Sequence, residues 1–200
     1  YFLDKHNCIG MPTETVYGLA ANAYSSKAIS KIFKLKKRPK NNPLIVHYSN
    51  LEMLKRDCIL NKNFTNLYNK FCPGPLTFIL KLKKDSKISK FVTNKKKTLA
   101  VRFPSHPKAK GLLKILNYPL AAPSANISSR VSPVTKNHVK EEFGKKIKYI
   151  IEGGLSKIGL ESTIINLTGK PEILRIGSID IKKLSRALKK KLLYRKKTYM

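Results

Sequence analysis

The chain is poor in acid, in cysteine and in long apolar runs, and it has no tryptophan. Each shortage excludes something. Only 11 Asp+Glu stand among 200 residues, too few for a dedicated carboxylate cage around a divalent cation. Magnesium needs roughly one or two carboxylates when substrate phosphates supply its other ligands. The 3 cysteines, Cys8, Cys58 and Cys72, are far apart and form no C-x-x-C pair, which excludes a disulfide framework and a structural zinc site. They read as small buried hydrophobes in a reduced, cytoplasmic setting. Apolar stretches such as Leu76–Leu80 and Pro119–Pro123 fall far short of the roughly 20 residues that cross a bilayer. No apolar run near the start resembles a secretory signal, so no membrane partner is expected. Catalytic templates are missing too. There is no G-x-G-x-x-G and no H-E-x-x-H, and His6, His47, His106 and His138 are scattered without metal spacing or an obvious Ser–His or Cys–His pair. Gly154-Leu-Ser-Lys-Ile-Gly159 has the glycine spacing of a P-loop, but Leu160 and Glu161 stand where Lys and Ser/Thr are required.

What the chain has in excess is positive charge, 42 Lys+Arg for a formal net charge of +31. The basic residues divide into 35 Lys and 7 Arg, beside 14 Asn and 19 Ile. Two readings stand side by side. Lys, Asn and Ile are what an A+T-rich genome drifts toward, and a strongly basic surface also attracts nucleic acid through counterion release whether or not it was selected to. The few arginines therefore carry more information than the many lysines. Arg38, Arg102 and Arg175 each sit in a Pro- or Gly-marked segment. With 42% hydrophobic residues the chain can bury a core, and its length fits one domain with or without a tail.

No fixed-period repeat is present. Short β-like runs alternate with helical ones, which predicts an α/β class. Strands are expected at Cys8–Met11, Leu44–Tyr48, Leu76–Leu82, Thr98–Phe103, Leu120–Ala122, Ile147–Ile151, Ser162–Leu167 and Glu172–Ile176. Helices are expected after Ser26, after the capping-box match Ser49-x-x-Glu52, and over Asn61–Phe71, His106–Leu116 and Thr135–Phe143, with a lysine-rich loop at Lys83–Lys97. Past Ser178 the composition shifts to a basic tail in which Ile181, Leu184, Leu188 and Leu192 repeat at helical spacing among lysines that include Lys196 and Lys197. That stripe is narrow and lacks Trp and Phe, so packing against the body is expected over a membrane-surface or RNA-binding arm.

The chemistry falls in the polar junctions: Pro12–Gly18, Lys36–Pro43, Arg102–Pro107, Ser124–Pro133 and Glu161–Thr163. Lys36-Lys-Arg38-Pro-Lys-Asn-Asn42-Pro presents Lys36 and Arg38 from a proline-stiffened loop, and an arginine fork suits phosphate or carboxylate oxygens. Ser124-Ala-Asn126 follows a strand end, where ligands of α/β sheets tend to bind. Without a strong nucleophile or paired carboxylates, such a site works by positioning reactants and stabilising charge.

Taken together, Pro12-Thr-Glu-Thr-Val-Tyr-Gly-Leu19, Lys36-Lys-Arg38-Pro with Asn42-Pro-Leu-Ile-Val-His47, Pro73-Gly-Pro-Leu-Thr77, Ala100-Val-Arg102-Phe-Pro104, Ser124-Ala-Asn126 and Glu161-Ser-Thr-Ile164 closely resemble the YrdC/Sua5 family of threonylcarbamoyl-AMP synthases. The resemblance implies a twisted open α/β sheet of mixed parallel and antiparallel strands with flanking helices and a basic concave cavity. It implies a nucleotidyltransferase that condenses L-threonine, bicarbonate and ATP, with Mg²⁺ carried mainly on the ATP phosphates, and releases pyrophosphate. The product would supply the tRNA threonylcarbamoyl transferase machinery that makes N6-threonylcarbamoyladenosine (t6A) at position 37 of tRNA. By motif position, Thr15, His47, Arg102, Ala122 and Ser162 would bind L-threonine. Lys36 and Arg38 would hold the ATP phosphates as the catalytic cations, with Asn42, Thr98, Ser124, Asn126, Ser132 and Arg175 around the nucleotide. Ala20 and Ser129 each replace a usual Gly, and Ile176 replaces a usual Pro. On this basis residues 1–178 form the catalytic domain and 179–200 a basic helical tail or the start of a linker, since longer members continue into a second domain. The competing reading is a non-catalytic tRNA or double-stranded RNA-binding module that uses the same basic cavity. A purely electrostatic RNA surface makes its own prediction. Binding to unrelated RNAs, measured by filter retention across a salt series, should show little sequence discrimination and a steep loss of affinity as salt rises.

Overall fold

Small and aliphatic residues fill several short segments without interruption. In the computed structural model, which describes residues 2–194, these become strands covered on both faces. In chain order the elements are β1 (Ile9–Met11), β2 (Gly18–Asn22), α1 (Ser26–Lys36), β3 (Ile45–His47), α2 (Leu51–Asp57), β4 (Cys58–Ile59), α3 (Lys62–Phe71), β5 (Leu76–Leu82), α4 (Lys90–Thr93), β6 (Thr98–Arg102), α5 (Pro107–Ile115), β7 (Leu120–Ala121), α6 (Lys136–Phe143), a 3₁₀ turn at Gly144–Lys146, β8 (Thr163–Asn166), β9 (Glu172–Arg175), α7 (Ile181–Leu188) and β10 (Leu193–Tyr194). Among the described residues the strands make one open sheet in the order β1-β2-β7-β3-β6-β5-β8-β9-β10, with β4 also on β5. The pairs β3–β6, β5–β8 and β9–β10 are parallel and the others antiparallel. The sheet is therefore mixed and unclosed, as the resemblance implied. One edge of β5 serves two partners in succession, β8 along Leu76–Ile79 and β4 along Lys81–Leu82.

Strand alternation distributes side chains to two cores. Leu19 and Ala21 of β2 enter the main cluster with Ile29, Ile32, Val46, Phe78 and Val101, whereas Ala20 joins Met11, Leu113, Tyr118 and Leu120 on the opposite face. A strand buried on both sides needs apolar residues at every position, which is why β2 reads Gly-Leu-Ala-Ala and carries no period-2 signal.

The structure corrects several local expectations. Helix α2 is capped by Asn50, whose side chain accepts from Met53 N–H at 2.8 Å, so Ser49 lies one residue outside the cap. Ile147–Ile151 is not a strand. It touches β1 only through the parallel bridge of Gly10 with Ile150, because β1 stops at Pro12 and offers no further ladder. The lysine-rich loop contains α4, and β2, β4 and β10 were not foreseen. Strands β8 and β9 are shorter than expected, leaving Ser162 and Ile176 just outside the ladder.

Past Ser178, Asp180 caps α7 by accepting from Lys182 N–H at 2.8 Å, and Lys189 ends it in the left-handed region. Leu184, Leu188 and Leu192 are buried in the main core, α7 packs on α3, and β10 extends the sheet beside β9. Lys196 and Lys197 lie outside the described residues. No described helix is long and apolar enough to cross a membrane. Buried aliphatic side chains contribute about 1.5–3 kcal/mol each, so cutting the chain after Ser178 should lower the melting temperature by many degrees and increase binding of an apolar dye. An unchanged melting curve would contradict this packing.

Candidate active site

The site begins where α1 ends. Lys37 adopts φ +49°, its N–H reaches Lys34 O, and Arg38 N–H reaches Phe33 O at 3.0 Å. This Schellman turn reverses the chain and turns Arg38 back over the following loop. The Arg38 guanidinium closes that loop itself, donating from Nε to Asn42 O and from Nη2 to Pro43 O, both at 3.1 Å. Lys36, on the last helical turn, is only 1% exposed. Its Nζ donates to the carbonyls of Ser124 and Asn126 and, at 3.4 Å, to Asn126 Oδ1. Three acceptors match the three N–H bonds of an ammonium, so Lys36 ties the end of α1 to the loop that leaves β7.

Between these parts lies a cavity of about 330 Å³ lined by Lys36, Arg38, Pro39, Asn42, Ser124, Asn126, Ser128, Ser129, Arg130, Ser132 and Glu161. Its cations crowd one another. Burial and then the Arg38 charge pull Lys36 down to about 8. Burial lowers Arg38 and Arg175 as well, against the opposing pull of Glu161. A bound anion would relieve that repulsion. Ser129 takes φ +73°, a conformation that favours glycine.

A buried polar cluster adjoins the cavity. Residues 11–20 are all buried, and the Pro12–Gly18 segment is braced by hydrogen bonds with two loops: Tyr17 N–H to Pro133 O, Ala125 N–H to Tyr17 O, Ile158 N–H to Glu14 O and Gly159 N–H to Thr15 O. The glycine-spaced segment Gly154–Gly159 thus works as an internal brace, consistent with its failure as a P-loop. Arg102, at the end of β6, ion-pairs with Glu14 (Nη2–Oε1 2.7 Å) and donates from Nη1 to Thr15 Oγ1 at 2.9 Å. Thr13 Oγ1 donates to Val16 O at 2.6 Å, so its 2.9 Å contact with Thr15 Oγ1 makes Thr15 the donor there. A directed chain results, from Arg102 through Thr15 to Thr13. Burial would raise the Glu14 carboxyl, but the Arg102 charge and hydrogen bond, with the Ser105 N–H, hold it below the usual range. His47 lies opposite Arg102 in the parallel register. Its Nδ1 is buried without a hydrogen-bond partner, and burial, then the Arg102 charge, pushes its pKa down to about 3. Ala122 stands at the other side of β3, where Gly18 keeps room beside it: a β-carbon at Gly18 would come within 3.1 Å of Ala122 Cβ.

Ser162 joins the two halves. It exchanges a 2.7 Å hydrogen bond with Thr77 Oγ1 and accepts from Arg175 Nη2 at 3.0 Å, while its carbonyl accepts from Arg175 Nε at 3.0 Å. Arg175 also pairs with Glu161, which accepts from Ser132 Oγ at 3.2 Å. This corner needs a glycine at position 177, because a β-carbon there would stand 2.4 Å from Glu161 O and from Thr163 N.

The structure thus brings Lys36, Arg38, Asn42, Ser124, Asn126 and Ser132 to one cavity, with Arg175 reaching it through Glu161, and groups Thr15, His47, Arg102, Ala122 and Ser162 beside it. Thr98 departs from that expectation. It pairs with Lys81 at the start of β6 and is not among the cavity-lining residues, because the strand begins there and the lysine-rich loop leads away. Glu14, Glu161 and Thr77 were missed as functional residues, although each lies inside a quoted motif. Acidic residues are so scarce here that two within site motifs were the available signal.

The family model for Sua5, YciO and YrdC proteins, described as "Telomere recombination", matches residues 1–177. The chain belongs to the Sua5–YciO–YrdC family. A family relative, the threonylcarbamoyl-AMP synthase of Pyrococcus abyssi, is 41% identical over 94% of this chain and 55% of its own length. The synthase of Schizosaccharomyces pombe is 40% identical over 88% and 49% respectively. Among solved members, P. abyssi Sua5 complexed with L-threonine superposes with a TM-score of 0.92 at 38% identity, covering 96% of this chain and 56% of that one. E. coli YciO superposes at 0.80 with 26% identity, covering 92% and 89%. The chain spans about half the length of the curated relatives it matches.

The electrostatics of the buried cluster around Arg102 set an acid limb. An unfolded chain protonates His47 near pH 6.5, whereas the folded chain resists until about 3, so stability falls as the pH drops through that interval. The depressed Glu14 carboxyl acts in the same direction at lower pH, its contribution being present above its unfolded value of 4.5 and lost on acidification. Denaturant titrations at pH 7 and pH 5 should show His47→Asn losing less stability than wild type, by up to about 1.4 kcal/mol per pH unit. Parallel losses would contradict a neutral buried His47.

Proposed function

We propose that this chain carries the catalytic domain of a threonylcarbamoyl-AMP synthase, a nucleotidyltransferase acting on L-threonine, bicarbonate and ATP. The observation that carries the reading is the junction at Ser162, where the buried Arg102–Thr15 cluster adjoins a cation-lined cavity. The high superposition on the threonine-bound Pyrococcus protein supports the same assignment.

In this reading the threonine carboxylate lies against Arg102, and the side-chain hydroxyl or amine meets the unpartnered His47 Nδ1. Small Ala122 and Gly18 admit the ligand close to the backbone. The threonine amine condenses with bicarbonate, forming the N–C bond and releasing water. One oxygen of the resulting carbamate then attacks the α-phosphorus in line, and the bond to the pyrophosphate oxygen breaks. Both reactants are already nucleophile and electrophile, so the protein's tasks are alignment and charge stabilisation. Arg38 and Arg175 face the growing negative charge of the leaving group. Lys36 holds the Ser124–Asn126 loop in place and adds its buried charge. The cavity's one carboxylate, Glu161, and the absence of any three-ligand His/Cys/Asp/Glu group among the described residues fit Mg²⁺ delivered on the phosphates rather than held in a protein cage. When bound, the metal would neutralise phosphate charge. The product, a threonylcarbamoyl-adenylate, would serve the enzymes that install t6A on tRNA. The +31 charge supports RNA contact as a secondary property, and the buried Arg102, oriented by Glu14 and Thr15, favours catalysis over a pure RNA-binding module.

Purified protein given ATP, Mg²⁺, bicarbonate and single amino acids should release pyrophosphate only when L-threonine and bicarbonate are both present. Serine should be poorer, because a missing methyl costs about 1–3 kcal/mol. Arg38→Ala should mainly raise the KM for ATP and Arg102→Ala that for threonine, each by roughly ten- to a hundredfold for a lost charge-assisted hydrogen bond of about 1.5–3 kcal/mol. Threonine-independent release, or wild-type kinetics in both variants, would overturn the assignment.

A further inference from the structure

Glu161 is out of place in a cavity for a polyanion. It is the one acidic side chain lining a space otherwise bounded by Lys36, Arg38, Arg130 and neutral polar groups. Its two oxygens are engaged with separate donors: Oε2 with Arg175 Nη1, and Oε1 with Ser132 Oγ at 3.2 Å. Both of those residues belong to the nucleotide set implied by motif position.

The arrangement is asymmetric in mobility. The guanidinium of Arg175 is fixed independently of Glu161, since Nε and Nη2 hold the carbonyl and hydroxyl of Ser162. The Glu161 carbonyl lies so near Gly177 that a β-carbon there would stand 2.4 Å from it. The Glu161 side chain is 36% exposed and is held only by the donors it accepts from. Removing it from Arg175 would leave Nη1 aimed and unpaired, with the Ser132 hydroxyl beside it. Those two donors form a ready seat for a phosphate oxygen. Electrostatically, Glu161 opposes the mutual repulsion that Lys36, Arg38 and Arg175 feel, which is what a bound phosphate would do.

We propose that Glu161 is an internal stand-in for a nucleotide phosphate: its carboxylate occupies the Arg175 Nη1 and Ser132 Oγ donors until a phosphate group takes them over and displaces it. The inference rests on the nucleotide reading above. Its consequence is selective. Any ligand that claims the Arg175 Nη1 donor must displace a charged competitor, whereas a ligand lacking phosphate need not.

Calorimetric titration of wild type and Glu161→Gln with ATP, inorganic tripolyphosphate and adenosine tests this, alongside melting curves for both proteins. The amide keeps the size but loses the charge that competes. It should bind ATP and tripolyphosphate about two- to fivefold more tightly, the range expected for a partly exposed charged pair. The KM for ATP should fall in step while adenosine binding stays unchanged. Glu161→Asp, too short to hold both donors, should shift in the same direction by less, and it decides the matter if the amide variant does not fold. Unchanged or weaker phosphate binding in the variants, with wild type binding ATP, would overturn the stand-in role and leave Glu161 as a support for Arg175. Failure of wild type and variants alike to bind ATP would overturn the nucleotide reading itself, and the stand-in with it.

Discussion

A buried ammonium organises this site. Lys36 is enclosed to 1% exposure, a position a charged side chain holds only when its donors are matched. Two backbone carbonyls and an amide oxygen from Ser124 and Asn126 supply the match. The bond works in both directions. The loop after β7 cannot satisfy those carbonyls without the lysine, and the lysine cannot be buried without the loop. Since α1 and β7 are far apart in sequence, this one cluster sets the distance between the Arg38 turn and the Ser124–Asn126 loop, and so the width of the cavity between them.

The arginines are handled by a second device. Arg102 and Arg175 each carry a carboxylate partner, Glu14 and Glu161, and the two pairs differ in exposure. The Glu14–Arg102 pair is almost fully enclosed, with side-chain exposures of 10% and 5%, whereas Glu161 and Arg175 are at 36% and 33%. An enclosed pair is costly to separate because either charge would be left stranded. It therefore acts as a permanent fixture that leaves Arg102 oriented by Glu14 and Thr15. The open pair is cheap to exchange. The site therefore combines fixed orientation in the inner cluster with exchangeable charge at the outer cavity.

The surplus of lysine bears little on this arrangement. Of the 35 lysines, Lys36 alone among the described residues is buried, whereas Arg38, Arg102 and Arg175 all fall at the site. Drift can add ammonium groups to a solvated face at small cost, but a fork that must meet two oxygens in a plane is not replaced by a lysine.

The sequence by itself determined the class of the fold, most of the helices and central strands, and the segments that would converge, because hydrophobic period, proline and glycine punctuation and motif order are local properties of the chain. Its arginine positions marked the site for the same reason. Tertiary structure decided the rest. Helix α2 took Asn50 as its cap, since only geometry chooses between adjacent polar residues. Strand β2 emerged from a run with no alternation, since burial on both faces erases the period. Ile147–Ile151 lost its strand, since a ladder needs a partner long enough to continue it. Above all, the roles of Lys36, Glu14 and Glu161 came from distances between residues remote in sequence. Whether a charge faces solvent, a carbonyl or an opposite charge is a property of the folded neighbourhood, and no local pattern of residues encodes it.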